Sequence, residues 1–315
     1  MAVRELTPLV SINIPCYRQL EHARRCVQSM LAQTLQDFEV ILLDDGASDE
    51  YREWAASLGD PRVRYLRNPE RLGAMRNMFQ AIIAGRGCYS IAFHEDDLLG
   101  SRYLEAAVGI LDSDPSCGFV GAELQQFEDD PTPAELDRPI PASSVERYPD
   151  AAAFVRALMR GVNPMFGSIV YRRSAIEAIA PAHDEYTTLA DRPFLLDVLG
   201  SWSSAIVRAP VVWYRAHGED DRRHQAMAPE HILRLFARYR AALPQELSEV
   251  DRRLFFDFSG YWLFTLHRLV PAAAQWPLRR FALRAWREGL YHPRWSRGIG
   301  RKRLLAELVA GRRDA

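Results

Sequence analysis

The sequence predicts an α/β fold, a mostly parallel sheet with helices on both faces, followed by a helical C-terminal region. Three observations predict it. Short apolar, β-branched runs alternate with segments of helical periodicity through the first third of the chain. Strands that alternate with helices in this way pair in parallel, because each helix carries the chain back across the sheet. Three polar clusters, Pro15-Cys16-Tyr17-Arg18, Asp44-Asp45-Gly46 and His94-Glu95-Asp96-Asp97, each follow directly on an apolar run. The C-terminal ends of parallel strands are where such sheets bind ligands.

The first strand is expected over residues 9–14, closed by Pro15. Residues 21–33 have helical spacing, with Ala23, Val27, Met30 and Leu31 near one face. A second strand over 38–43 ends in the paired acids, and Ser48 or Asp49 can cap a helix from Glu50. Residues 63–66 read as strand, 72–84 as helix, 88–93 as strand, 102–111 as helix and 118–121 as strand. Residues 128–149, rich in Pro, Asp and Glu, read as a long loop or linker. A helix near 151–159, a strand near 167–171, a helix near 189–199 and a strand over 205–214 follow, and beyond Pro229 the chain reads as helix. The expected division is 1–127, 128–225 and a helical extension 226–315.

With 315 residues the chain has ample core, and a net charge of −1 gives no sign of nucleic acid as a partner. The charge is uneven. Residues 276–315 hold 11 Lys or Arg against 3 Asp or Glu, a balance of +8 that leaves −9 on the rest. Leu278, Phe281, Ala282, Ala285 and Trp286 form one helical stripe there, amid Arg279, Arg280, Arg284 and Arg287. Such a helix can lie on the anionic inner surface of a membrane, pack on residues 255–270, or meet a second copy of the chain in a homodimer. Cys16, Cys26, Cys88 and Cys117 show neither close pairing nor metal spacing, which suits reduced thiols in a cytoplasmic protein. The N-terminal residues lack a signal-peptide core, and no uncharged run reaches the roughly 18 residues of a spanning helix.

In IAFHEDDLLG an apolar run ends in three adjacent acids. Burying like charges together is costly without a partner. A bound cation removes that cost. So does a helix N-terminus, since Asp97 is placed to cap a helix starting near Ser101.

The segments resemble, in order, the motifs of family 2 glycosyltransferases of the GT-A fold. SINIPCYRQLEHARRCVQSMLAQTLQDFEVILLDDGASDE is similar to the family's opening, with its P-x-Y-N and D-D-G-S-x-D motifs. NPERLGAMRN, AFHEDDLLGSRYLE, GSIVYRRSAI, LADRPFLLDVL and WYRAHGEDD follow, so the resemblance covers about residues 9–221.

The resemblance implies an inverting transfer of a sugar from a nucleotide-diphosphate donor, a UDP- or dTDP-sugar, to a hydroxyl acceptor that can be lipid-linked. It implies a divalent cation, Mn2+ or Mg2+, held by Asp96 with Asp97 in support and His217 as a further ligand. A hard cation held by few carboxylates keeps positions open for phosphate oxygens. Pro15 and Tyr17 would form the nucleotide wall, where an aromatic face stacks on the base. Arg18 stands where the family commonly has Asn, and His94 where it has Asp. Asp44, Asp45, Arg71, Arg76, His94 and Glu95 would complete the nucleotide-sugar site, with Asp45 on the base or ribose and Arg76 at the family's A-R-N position. Asp191 falls on the base position, preceded by Ala190 where the family has Glu. Gly167 and Ser168 would line the acceptor side.

Plainer readings stand beside these. Asp44 or Asp45 can form an Asx-turn at Gly46. Tyr17 can be core, and Asp191 a helix-start residue stabilised by Arg192. A phosphorylated receiver domain needs a lysine further on, and the only lysine is Lys302. A sugar nucleotidyltransferase would open with a Gly-rich loop after the first strand, which Pro15-Cys16-Tyr17-Arg18 is not. A catalytically inactive sugar-nucleotide module is the remaining alternative, raised by His94 and Ala190.

Overall fold

The first strand, β1 (Val10–Cys16), is buried along nearly its whole length and fixes the arrangement around it. It pairs in parallel with β2 (Phe38–Asp44) on one side and β4 (Tyr89–Ala92) on the other. β2 continues the parallel order to β3 (Val63–Arg67). The crossovers are α1 (Leu20–Leu31), α2 (Glu50–Leu58) and α3 (Ala74–Ile83). The computed structural model describes residues 7–46, 48–180, 183–216 and 227–296.

Side chains alternate across a strand, and both faces are covered. Val10, Ile12, Ile14 and Cys16 of β1 join Val40 and Leu42 of β2 in one core cluster. Ala23, Cys26, Val27 and Met30 of α1 and Tyr51 and Trp54 of α2 pack into the same cluster. α3 buries Met78, Phe79, Ala81 and Ile82 outside it, and Asn77 Nδ2 on the same helix donates to the Leu43 carbonyl at 3.0 Å.

Beyond β4 the sheet becomes mixed. Its full order is β3-β2-β1-β4-β8-β6-β9-β5, with β7 also on β9, nine strands in all among the described residues. The added strands are β5 (Leu98–Leu99), β6 (Cys117–Phe127), β7 (Val145–Tyr148), β8 (Val170–Arg172) and β9 (Ser203–Arg215). β6 and β9 form a long parallel ladder, whereas β8 runs antiparallel to β4 and β6. α4 (Tyr103–Ser113), α5 (Pro133–Leu136) and α7 (Arg173–Ile176) belong to this half, and α6 (Ala151–Met159) lies between α5 and α7 in sequence.

Three sequence expectations change here. Residues 128–149 are not one loop: they hold α5, with a capping box from Thr132, and strand β7. The strand expected at 118–121 runs on to Phe127 through the half-polar Glu123 to Gln126. Asp97 does not cap α4, whose N-cap is Arg102 without a side-chain cap bond.

The described residues fall into two compact units interleaved in sequence. The sheet unit takes 1–149, 163–180 and 198–217. The second unit takes 150–162, 181–197 and 218–315, and its described elements are helices: α6, α8 (His183–Tyr186), most of α9 (Asp191–Val198), α10 (Pro229–Ala241), α11 (Glu249–Leu269) and α12 (Leu278–Arg287). Rings hold it together. Phe281 of α12 lies 6.2 Å from Phe264 and 4.5 Å from His267 of α11, centroid to centroid. Phe281, Ala282 and Ala285 are buried, while Trp286 is 52% exposed, so Trp286 is not part of the packed stripe. The stripe packs on α11. No helix among the described residues is long and apolar enough to cross a membrane.

Candidate functional site

The parallel register brings the three polar clusters to one edge of the sheet. Cys16 pairs with Asp44 at the ends of β1 and β2, and the Phe93 amide donates to the Asn13 carbonyl at 2.9 Å where β4 runs out. The turns that follow therefore share the C-terminal edge of β2, β1 and β4, the ligand-binding edge of such sheets.

Along His94 to Asp97 burial alternates: His94 and Asp96 are partly open, Glu95 and Asp97 buried. One ligand atom from each of His94, Asp96 and Asp97 lies within 4.8 Å of the other two. His94 Nδ1 is 3.0 Å from Asp97 Oδ2, and Asp97 Oδ1 accepts from the Arg215 amide at 2.9 Å. Burial pushes the Asp97 carboxyl above its ordinary range, the bond from His94 opposes this, and the Asp96 charge adds to the rise. Two carboxylates, one buried and one partly open, beside one imidazole form a donor set that fits Mn2+ or Mg2+, and a cation there would offset their repulsion. His94, expected in the nucleotide-sugar site, thus joins the candidate metal residues. His217, the other expected ligand, lies outside the described residues.

Glu95 has a different role from its neighbours. It is 7% exposed, and its Oε1 accepts from the Tyr17 amide at 2.7 Å while Oε2 accepts from the Tyr51 hydroxyl. Burial pushes its carboxyl up to about 7, opposed by those two bonds. Its oxygens are used inside the protein, so it does not meet a ligand directly.

The paired acids are both buried, and both spend their oxygens inside the protein, so Asp45, expected on the base or ribose, holds a loop instead. Asp44 is fully buried, forms the Asx-turn with the Gly46 amide at 2.8 Å, and accepts from the Tyr65 hydroxyl at 2.7 Å. Asp45 accepts from the Leu72 amide at 2.7 Å, the Gly73 amide at 2.8 Å and Asn68 Nδ2 at 2.9 Å. Asp45 thereby shapes the loop that carries Arg71. The Arg71 guanidinium carbon sits 4.6 Å from the Tyr17 ring centroid, and that of Arg18 sits 5.0 Å from the same ring. Arg18 is exposed and takes φ 60°, and Pro15 is partly buried within β1. Arg76 is exposed in the first turn of α3.

The acceptor-side residues correct the sequence reading. Ser168 is fully buried, and its hydroxyl is bonded to the Ala122 amide at 2.9 Å and the Met165 carbonyl at 2.6 Å, so it holds the chain and faces no acceptor. Gly167 is also buried, and a Cβ on it would come within 3.3 Å of His94 Nδ1. Gly167 backs the imidazole instead of lining a groove. Asp191 is the first residue of α9 in the helical unit, its carboxylate 3.5 Å from Arg192 Nε and 24% exposed.

Sequence reasoning missed Arg215 and Tyr51. Arg215 closes the acidic turn from the end of β9: besides its amide bond to Asp97, its Nε donates to the Asp96 carbonyl at 3.1 Å and its guanidinium reaches Asp130 at 3.0 Å. The Tyr-Arg pair before Ala216 was the available signal. Tyr51 is the second residue of α2, between Glu50 and Arg52, and nothing in that local sequence ties it to the 17–19 turn.

A sequence model of glycosyl transferase family 2 matches residues 11–179, more than half of the chain. The chain belongs to glycosyltransferase family 2. It is 31% identical over 102 residues to the glycosyltransferase GlyG of Streptococcus pneumoniae, covering 32% of this chain and 34% of that protein. The first curated relatives are matched over 33% to 62% of their own length. S. aureus TarS, solved with UDP-GlcNAc, superposes with a TM-score of 0.54 at 13% identity, over 79% of this chain and 71% of that one. The mannosyltransferase PcManGT of Pyrobaculum calidifontis, solved with GDP-Man and Mn2+, gives 0.51 at 16% identity over 92% and 82%. These likenesses identify the GT-A fold as the architecture of this family 2 chain.

Proposed function

We propose that this family 2 chain is an inverting glycosyltransferase that moves a sugar from a nucleotide-diphosphate donor to a hydroxyl acceptor. The observation that carries the reading is the meeting of His94, Asp96 and Asp97 at the strand ends where Tyr17, Arg18 and Arg71 also gather. The donors of TarS and PcManGT, UDP-GlcNAc and GDP-Man, support the donor class. Residues 1–127 are proposed as the donor half, 128–225 as the acceptor half and 226–315 as an extension.

In this reading the Tyr17 ring offers a stacking face for the base. Arg18 and Arg71, whose guanidinium groups lie against that ring, are proposed to border the nucleoside. His94, Asp96 and Asp97 would hold the divalent cation, which when bound supplies countercharge to the leaving diphosphate. Asp191 is proposed as the general base: it takes the acceptor proton as the new bond forms at the anomeric carbon, while the nucleoside diphosphate departs from the opposite face. An inactive sugar-nucleotide module would share the binding residues and show no turnover.

Calorimetric titration of UDP, dTDP and GDP, with and without Mn2+, into the wild type and Asp96→Asn tests the proposal. One nucleotide is expected to bind in a metal-dependent way, and the substitution to abolish that dependence. Binding that ignores both metal and Asp96, or no binding at all, would make the acids purely structural and remove the main support for the reading.

A further inference from the structure

Arg18 holds a left-handed backbone, φ 60°, that a residue with a Cβ rarely adopts. Such a conformation persists where the surroundings enforce it. Here both flanking amides are tied. Tyr17 N donates to Glu95 Oε1 at 2.7 Å, and Gln19 N donates to the Tyr51 hydroxyl oxygen at 3.0 Å. The Tyr51 hydroxyl in turn donates to Glu95 Oε2. The turn, Tyr51 and Glu95 form a closed ring of hydrogen bonds, with the α2 residue acting as bridge.

Tyr51 is 2% exposed and Glu95 7%, so neither is open to a ligand. Burial and the neighbouring Glu95 charge keep the phenol protonated and therefore a donor. What the ring of bonds presents outward is Tyr17 with Arg18 and Arg71 against it. Glu95 also separates His94 from Asp96 in sequence, so one tetrapeptide anchors the turn with one residue and offers candidate metal ligands with its neighbours.

We infer that Tyr51 and Glu95 are positioning residues for the nucleoside end of the donor nucleotide. They preset the 17–19 turn so that binding does not have to order it. The inference rests on the nucleotide-sugar reading above. Its physical basis is preorganisation: fixing a binding loop beforehand removes an entropic cost from association. The cation and diphosphate meet other residues, so their binding should be separable from the action of the ring of bonds.

The test uses two probes on the full chain, in calorimetry with Mn2+: inorganic pyrophosphate, and whichever of UDP, dTDP and GDP the wild type binds best. Tyr51→Phe removes one oxygen and leaves the Gln19 amide and one Glu95 oxygen unpaired. It is expected to weaken the nucleotide by about tenfold, in line with an unmade buried hydrogen bond, and to leave pyrophosphate unchanged. Glu95→Gln can still accept from Tyr17 N and bond to Tyr51, so it should retain most of the nucleotide affinity. Glu95→Ala should lose at least as much as Tyr51→Phe. The Gln and Ala variants carry the comparison if Tyr51→Phe does not fold.

A loss that falls on pyrophosphate and nucleotide alike would mark the bonds as general scaffolding and overturn the inference. Unchanged nucleotide binding in both Tyr51→Phe and Glu95→Ala would overturn it too, while leaving the site reading intact. A wild type that binds no nucleotide would bring down the site reading and this inference together.

Discussion

The sheet unit buries acids along with its rings, whereas the helical unit relies mainly on rings. In the sheet unit Glu39, Asp44, Asp45, Glu95 and Asp97 are buried carboxylates, each taking hydrogen bonds from backbone amides or side chains of other segments. In the helical unit Phe236, Tyr239 and the half-buried Phe258 pack in one group, and the buried Phe264, Phe281 and Tyr291 in another, mostly edge to face. Its buried carboxylate, Asp251, is held by the Arg156 guanidinium. Strand ends and their loops offer unpaired amides, so acids can be buried there at tolerable cost. Helix interiors satisfy their own amides and have little to offer a buried acid.

If that contrast holds, the largest effect on stability belongs to the helical unit. Phe281→Ala should cost about 3–5 kcal/mol through the cavity it leaves, read from the denaturant midpoint. A loss under about 1 kcal/mol would show that the aromatic packing is loose. Asp97→Asn should do the reverse in the sheet unit. It should weaken Mn2+ by at least about tenfold in titration, while the thermal midpoint at pH 7 stays level or rises. The sign follows from the raised carboxyl: ionised Asp97 costs the fold stability as pH climbs through its shifted value. A sharp drop in midpoint would mean that the charge supports the fold.

Glu39 separates the two kinds of buried acid. Burial alone would raise its carboxyl, yet the Arg86 amide, the Ser11 hydroxyl and Arg64 together hold it below its ordinary value of 4.5. Its stabilisation is present above that value and is lost as pH falls through the lower folded one. Glu39→Gln should therefore cost about 1–2 kcal/mol at pH 7, and the gap from wild type should close in acid. A gap independent of pH would assign the cost to shape instead of charge. Asp251→Asn should be the mildest, about 1 kcal/mol, because its Arg156 partner is itself 28% exposed. A cost equal to that of Phe281→Ala would erase the distinction between the units.

Much of the parallel half was legible in the sequence, because strands buried on both faces read as unbroken apolar runs, as at residues 40–43 of β2. β7 was not legible: its central Glu146 and Arg147 are exposed, and only Tyr148 is buried. The acids were legible as a chemical cluster but not in their division of labour. Asp45 shapes a loop 27 and 28 residues downstream, and Glu95 answers an amide 78 residues upstream. Which oxygen meets which amide is a tertiary fact that local pattern does not carry. Ser168 was misread for a related reason, since a small polar residue at a turn looks the same whether it faces water or caps buried backbone.

The alternation along His94 to Asp97 also bears on redesign. Glu95 behaves as foundation, tied to Tyr17 and Tyr51, and Asp97, tied to Arg215, is both anchor and candidate ligand, while the outward pair, His94 and Asp96, is the part open to rewriting. An engineer who wished to change which cation this edge prefers would edit positions 94 and 96 and leave 95 and 97 untouched. Gly167 sets the margin for that edit, because any side chain there would press on whatever replaced the imidazole.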